Sequence, residues 1–148
     1  GILSGIYPLR SAEQLGVTLK PDAPVIQLLG SGSILNEVLA AQEKLVREHG
    51  VRAEVWSVTS YKELRQEAMD TERWNMLHPA SKGRTPYVAK CLDKTEGPVI
   101  AASDYMKILP DGIGKWVRGG LTTLGTDGFG RSEDRQSRHC TAVEIETT

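Results

Sequence analysis

Four sets of residues in this chain have types and spacings that could do chemistry. Gly30-Ser31-Gly32-Ser33 lies between an apolar run and a helical pattern, where backbone amides and a helix N-terminus can hold a phosphate. Position 35 is Leu and no Lys follows the glycines, so neither the dinucleotide fingerprint nor a P-loop is complete. A tight strand-to-helix turn is the favoured reading. Ser57, His78 and Asp104 can be imagined as a hydrolytic triad, but no nucleophile-elbow pattern surrounds any serine. The histidines His49, His78 and His139 show no His-x-x-x-His or similar metal-ligand spacing. His49 falls at a helix end, where a cation is favourable beside the dipole. The cysteines, Cys91 and Cys140, make no C-x-x-C and read as unpaired thiols in a reducing compartment. These patterns assign no catalytic residue, no cofactor-binding residue and no metal ligand.

Two further segments carry groups suited to recognition. Residues 70–79 place Trp74, Met76 and Leu77 among charged neighbours. The polar stretch 70–85, broken by Pro79, Gly83 and Pro86, predicts a long loop with at most one helical turn. A loop with a large aromatic must dock, either on its own sheet or at a subunit or domain interface; the residues leave both open, and Trp74 and His78 are the candidates. Residues 126–132 follow the last predicted strand, at the edge of a parallel sheet where loops face ligand crevices. Two glycines there let the backbone turn sharply, and Arg131 can pair with a carboxylate. Asp127 and Arg131 are crevice candidates, against a favoured structural turn ahead of a helix.

The elements that must position these groups follow from periodicity and punctuation. Residues 24–30 read as a buried strand. Ile34, Leu35, Val38, Leu39, Ala41, Leu45 and Val46 recur at helical spacing, and Gly50 supplies a left-handed stop. Residues 53–58 alternate as a strand. Ser60 and Glu63 form a capping box that starts a helix at Tyr61, expected to run to about Met69. Residues 87–92 are either a short helix or extended. Residues 98–102 are a third strand, Ser103-Asp104 is expected to cap a helix over 105–117, and 121–125 is a fourth strand. Strands alternating with helices predict an α/β domain with right-handed crossovers, a mostly parallel sheet and helices on both faces.

The length of 148 residues suits one domain with a sizeable core. Eighteen basic and 19 acidic residues give a net charge of −1, which offers no argument for nucleic acid or a membrane surface. Apolar runs fall far short of a membrane span, and the first residues lack the pattern of a secretory signal. The chain begins at Gly1 rather than Met, so a fragment or processed product is expected.

Four phrases in fixed order carry a family resemblance: Val55-Trp56-Ser57-Val58-Thr59-Ser60, Asp70-Thr71-Glu72-Arg73-Trp74-Asn75-Met76-Leu77-His78-Pro79, Ala102-Ser103-Asp104-Tyr105-Met106-Lys107 and Leu124-Gly125-Thr126-Asp127-Gly128-Phe129-Gly130-Arg131-Ser132. Over residues 1–132 the chain resembles the C-terminal domain of the homodimeric pyruvate dehydrogenases, the decarboxylating, thiamine-diphosphate-dependent first components of pyruvate dehydrogenase complexes. The resemblance implies a transketolase-type α/β sandwich whose sheet also carries an antiparallel strand. It implies a linker or edge segment over 1–23, with Ile6-Tyr7-Pro8-Leu9 packing on the edge, and the domain proper over 24–132.

The resemblance further implies a whole enzyme that decarboxylates pyruvate on thiamine diphosphate with Mg2+ and passes the acetyl group to a lipoyl carrier. The cofactor supplies the carbanion chemistry. This part would contribute dimer and domain packing, which tilts residues 70–79 towards an interface. It would hold no cofactor itself. The implied partners are the rest of its own enzyme, a second subunit and the lipoyl acetyltransferase component, in the cytoplasm. The alternative is a non-catalytic interaction or assembly domain. A free-standing small enzyme lacks any acid, base or nucleophile cluster.

After Ser132 the resemblance stops. Residues 133–148 lack a helical apolar stripe, and 141–147 alternate as a strand would. A frameshifted or misread gene end would explain this divergent tail, as would an ordinary divergent terminus. A sheet face left uncovered and a poorly ordered tail are expected.

Overall fold

Val25–Gly30 (β2) follows Pro24 and is apolar on both faces apart from Gln27, the composition of a strand covered from both sides. In the computed structural model, which describes residues 3–126, it is the central strand of a five-stranded sheet ordered β1-β3-β2-β4-β5. The other strands are Ile6–Arg10 (β1), Arg52–Val58 (β3), Val99–Met106 (β4) and Leu121–Thr126 (β5). Parallel ladders join β3, β2, β4 and β5, and β1 alone runs antiparallel, on β3.

Alternation along the strands feeds two cores. On one face Leu28, Ala53 and Val55 meet Val38 and Val46 of helix α1 (Leu35–His49), with Ala12 of the 3-10 turn Ala12–Leu15. On the other, Ile6, Leu29, Val58, Val99 and Ala101 meet Tyr61 and Leu64 of α2 (Tyr61–Leu77), Val88 and Leu92 of α3 (Tyr87–Leu92), and Ile113 and Val117. Burying each large aliphatic side chain contributes about 1.5–3 kcal/mol. The expected α/β sandwich with helices on both faces is thus present. Among the described residues no helix is long and apolar enough to cross a membrane.

Helix boundaries follow local chemistry in part. Gly50 caps α1 at φ +64°, and the Ser60 side chain accepts the Glu63 N–H at 3.2 Å at the start of α2. Two expectations fail. Helix α2 does not stop near Met69; residues 70–77 are its last two turns and not a loop. Asp70 and Arg73 lie on a solvated helix face, while the buried stripe Tyr61, Leu64, Ala68 and Thr71 continues at helical spacing. One-turn side-chain bonds support it, Gln66 to Asp70 at 3.1 Å and Thr71 to Glu67 at 3.1 Å. The helix ends at His78, the residue before Pro79.

Nor does a helix span 105–117. Strand β4 runs on to Met106, only Ile108–Asp111 (α4) is helical, and a 3-10 turn covers Gly114–Trp116. Pairing with β5 at Met106↔Thr126 holds the chain extended, and Gly112 and Gly114 weaken the helical alternative. Ser103 accordingly caps no helix; its hydroxyl accepts the Tyr105 N–H at 3.1 Å. Residues 87–92, left open by the sequence, form α3.

Candidate functional site: the sheet edge and the end of helix α2

The turn after β2 is built for close packing. A Cβ on Gly30 would lie 2.8 Å from Leu35 Cδ1 and 3.2 Å from Leu35 Cα, so a side chain there would crowd α1 where it folds back onto the strand end. Gly32, at φ +56°, opens a 3-10 turn over Gly32–Ile34. The Ser33 hydroxyl donates to Asp104 Oδ2 at 2.7 Å across the gap between β2 and β4. A carboxylate therefore lies against the start of the α1 helical run, where a phosphate would otherwise be favoured. Electrostatics favours the plain turn.

The imagined triad is not brought together. Ser57 is buried on β3, Asp104 is bonded to Ser33, and His78 ends α2 with Nδ1 2.8 Å from the Trp74 carbonyl. His49 occupies the last turn of α1. Among the described residues no group of His, Cys, Asp and Glu is arranged to hold a metal ion. Cys91, on α3, is half-buried and free. Asp127, Arg131, His139, Cys140 and the tail 133–148 lie outside the described residues.

Trp74 and His78 do meet. Being four residues apart on α2, they stack with ring centroids 4.3 Å apart at 13°. Arg84 returns over the indole, its guanidinium carbon 3.6 Å from the ring centroid. Asn75 fixes that return, since its amide donates to the Arg84 carbonyl and accepts the Arg84 N–H, both at 2.8 Å. Trp74 is half-buried in this local stack, whereas Met76 is 74 % and Leu77 68 % exposed beside it. The chemistry these exposed side chains offer is apolar and aromatic contact.

A shallow groove of about 510 Å³ lies on the sheet floor between β1 and Thr95. Gln27 and Glu54, register partners on β2 and β3, line it. The Gln27 side chain is held at both ends, accepting from Trp56 Nε1 at 2.8 Å and donating to the Glu96 carbonyl at 3.0 Å. Burial pushes the Glu54 carboxyl above its ordinary range, against the opposing bond from the Ala12 amide.

Sequence reasoning missed three long-range ties. Gln42 of α1 joins β1 to β3, Glu72 of α2 holds Lys115 and Trp116, and Ser33 holds Asp104, across 11 to 71 residues of chain. No local pattern signals them.

Comparison with known proteins decides the family. The family model of the transketolase-like C-terminal domain matches residues 5–141. This chain belongs to that family. Its curated relatives include the pyruvate dehydrogenase E1 component of Pseudomonas aeruginosa, 46 % identical over 137 residues, which cover 92 % of this chain and 15 % of the relative. The same component of Escherichia coli K12 is 43 % identical over 141 residues, covering 94 % and 15 %. That of Mycobacterium tuberculosis is 40 % identical over 135 residues, covering 91 % and 14 %. The domain thus spans only about 15 % of the length of these relatives. Among solved structures, a transketolase from Leishmania mexicana aligns over the whole chain and 17 % of its own, with TM-score 0.51 at 19 % identity, a likeness of fold.

Proposed function

We propose that this chain is the C-terminal segment of a thiamine-diphosphate- and Mg2+-dependent pyruvate dehydrogenase first component, and that it contributes packing surfaces rather than reacting groups. The observation that carries the reading is the 46 % identity over 92 % of the chain to a pyruvate dehydrogenase E1 component. The match of the chain to the transketolase-like C-terminal domain, about 15 % of the length of these relatives, supports the division of labour. In this reading the complete enzyme decarboxylates pyruvate in the cytoplasm and hands the acetyl group to a lipoyl acetyltransferase partner. The end of α2, with Trp74 and His78 stacked and Met76 and Leu77 exposed, is a contact with a second subunit or a neighbouring domain.

A chimera tests the reading. The matching segment of the Pseudomonas aeruginosa component is replaced by this chain, and pyruvate-dependent CO2 release is measured with thiamine diphosphate and Mg2+. Activity near that of the parent is expected, with none from the 148-residue chain alone. A folded, dimeric chimera without activity, or decarboxylation by the chain alone, would refute it.

A further inference from the structure

The groove beside β1 lies where the helical cover of the sheet stops. Along β3 the side chains of Glu54, Trp56 and Val58 share one face, as those of Gln27 and Leu29 do along β2. Helices α2 and α3 close over Leu29 and Val58 in the core. No residue of either helix lines the groove, so Gln27, Glu54 and Trp56 form its floor, with Pro8 of β1 and Thr95 at its sides. Its volume of about 510 Å³ is that of a site for a small molecule.

The walls are fixed by bonds of their own. Trp56 Nε1 donates to Gln27 Oε1, and the Gln27 amide donates to the Glu96 carbonyl. Gln27 is 2 % exposed, and these bonds leave its oxygen a second lone pair. The Thr95 hydroxyl donates to the Leu92 carbonyl at 2.7 Å, which leaves its own oxygen as an acceptor. The polar groups of the floor and side are thus short of donors.

Charge selects the ligand. Arg10 is the cation of the lining, and it is committed to Gln42, Glu43 and the Leu39 carbonyl. Glu54 is the carboxylate of the lining. It accepts one long bond, from the Ala12 N–H at 3.4 Å, and among the described residues it makes no ion pair. Glu13 of the neighbouring 3-10 turn and Arg52 of its own strand act on it through space with opposite signs. A half-buried carboxylate so weakly paired gains by taking a cation.

We propose that this groove binds a small organic ammonium ion. The nitrogen, with up to three N–H donors, bonds Glu54 and the free lone pairs of Gln27 and Thr95, while the carbon body lies on Trp56 and Pro8. Glu54 and Gln27 are register partners, so their roots stand about 4.8 Å apart and one nitrogen can serve both. The carboxylate repels an anion, and a neutral molecule leaves it unpaired. The site stands whether or not the complete protein decarboxylates pyruvate.

The test uses the full-length polypeptide that contains this chain. Phenethylammonium is the probe and phenethyl alcohol its uncharged counterpart, both titrated by saturation-transfer NMR near neutral pH. The ammonium should bind saturably and about tenfold more tightly than the alcohol, the worth of one charge-assisted bond. Glu54→Gln keeps the shape of the side chain and should weaken the ammonium about tenfold while leaving the alcohol unmoved. Burial raises the Glu54 pKa, so in the unsubstituted protein the ammonium affinity should fall as the pH drops towards 4.5, and the alcohol affinity should not. This acid series and the comparison of the two probes decide the matter if the variant does not fold. Equal binding of ammonium and alcohol, an ammonium affinity unmoved by Glu54→Gln or by acid, or no saturable binding overturns the proposal.

Discussion

Gln42 is a single side chain on which three elements depend. It is fully buried on α1, donates to the Ala53 carbonyl at 2.8 Å and the Arg10 carbonyl at 3.2 Å, and accepts from Arg10 Nε. It therefore ties β1 and β3 to the helix that covers them. Gln42→Met keeps the volume and removes the bonds. Two neutral bonds at about 1 kcal/mol each and one charge-assisted bond at about 1.5 kcal/mol, reduced by the partial exposure of Arg10, give a cost of about 3 kcal/mol. Gln42→Ala also forfeits buried side-chain atoms and costs about 1.5 kcal/mol more. For a chain of this size that is a fall in Tm of about 10 °C for the Met variant and about 15 °C for the Ala variant. Thermal unfolding by circular dichroism reads the totals, and hydrogen exchange at residues 6–10 should show β1 released first. A Met variant as stable as the parent would refute the argument, because the bonds would then be worth no more than the packing.

Gly97→Ala should fail in a different way. Its φ is +81° and an added Cβ would lie 1.8 Å from the Val25 carbonyl oxygen, so a loss of at least about 2 kcal/mol is expected by denaturant titration. Bonds from Lys115 and then Trp116 hold the Glu72 carboxyl below its ordinary range. A depressed carboxyl stabilises the fold above its unfolded pKa near 4.5 and loses that contribution as pH falls through the folded value, so Glu72→Gln should flatten the acid limb of stability read by Trp116 fluorescence. Glu54 has the opposite sign. Burial raises its pKa, so its stabilising share is present at low pH and is lost as pH rises through the folded value; Glu54→Gln should stabilise the chain at pH 7 and lose that gain below about pH 4.5. Asp104→Asn should let phosphate raise the Tm, whereas phosphate should leave the parent unmoved; equal phosphate stabilisation of both would show that the carboxylate does not guard the turn.

What the sequence made legible was what neighbours in the chain decide. The apolar run ending at Gly30, the helical spacing from Ile34 to Val46, the Gly50 stop and the Ser60 cap all have causes within a few residues, and each element formed where expected. Of the two departures, one has a local cause and one does not. Residues 70–77 are polar like a loop, but good helix formers dominate them and the sequence contains no glycine or proline between Gly50 and Pro79. Residues 105 and 106 read as the start of a helix because the pairing that keeps them extended comes from β5, far along the chain. Of the candidate site, Trp74 and His78 were found as residue types. Their stack follows from a helix where a loop was expected, and Arg84 arrives over Trp74 from beyond Pro79.

The two ends of the α1 turn and the far end of β4 make one physical argument about what this domain can do. The end of a parallel sheet beside its central strand is where α/β proteins usually receive a charged ligand, because helix dipoles point there. Here Asp104 lies against the α1 start, of the sign that opposes an anion at the dipole, and one of its oxygens accepts from Ser33. Anion recognition is weakened at its most favourable position. Immediately beyond that carboxylate the chain offers apolar Tyr105 and Met106 to solvent, a surface that gains by losing water. Charge is engaged internally, and apolar area is left outside.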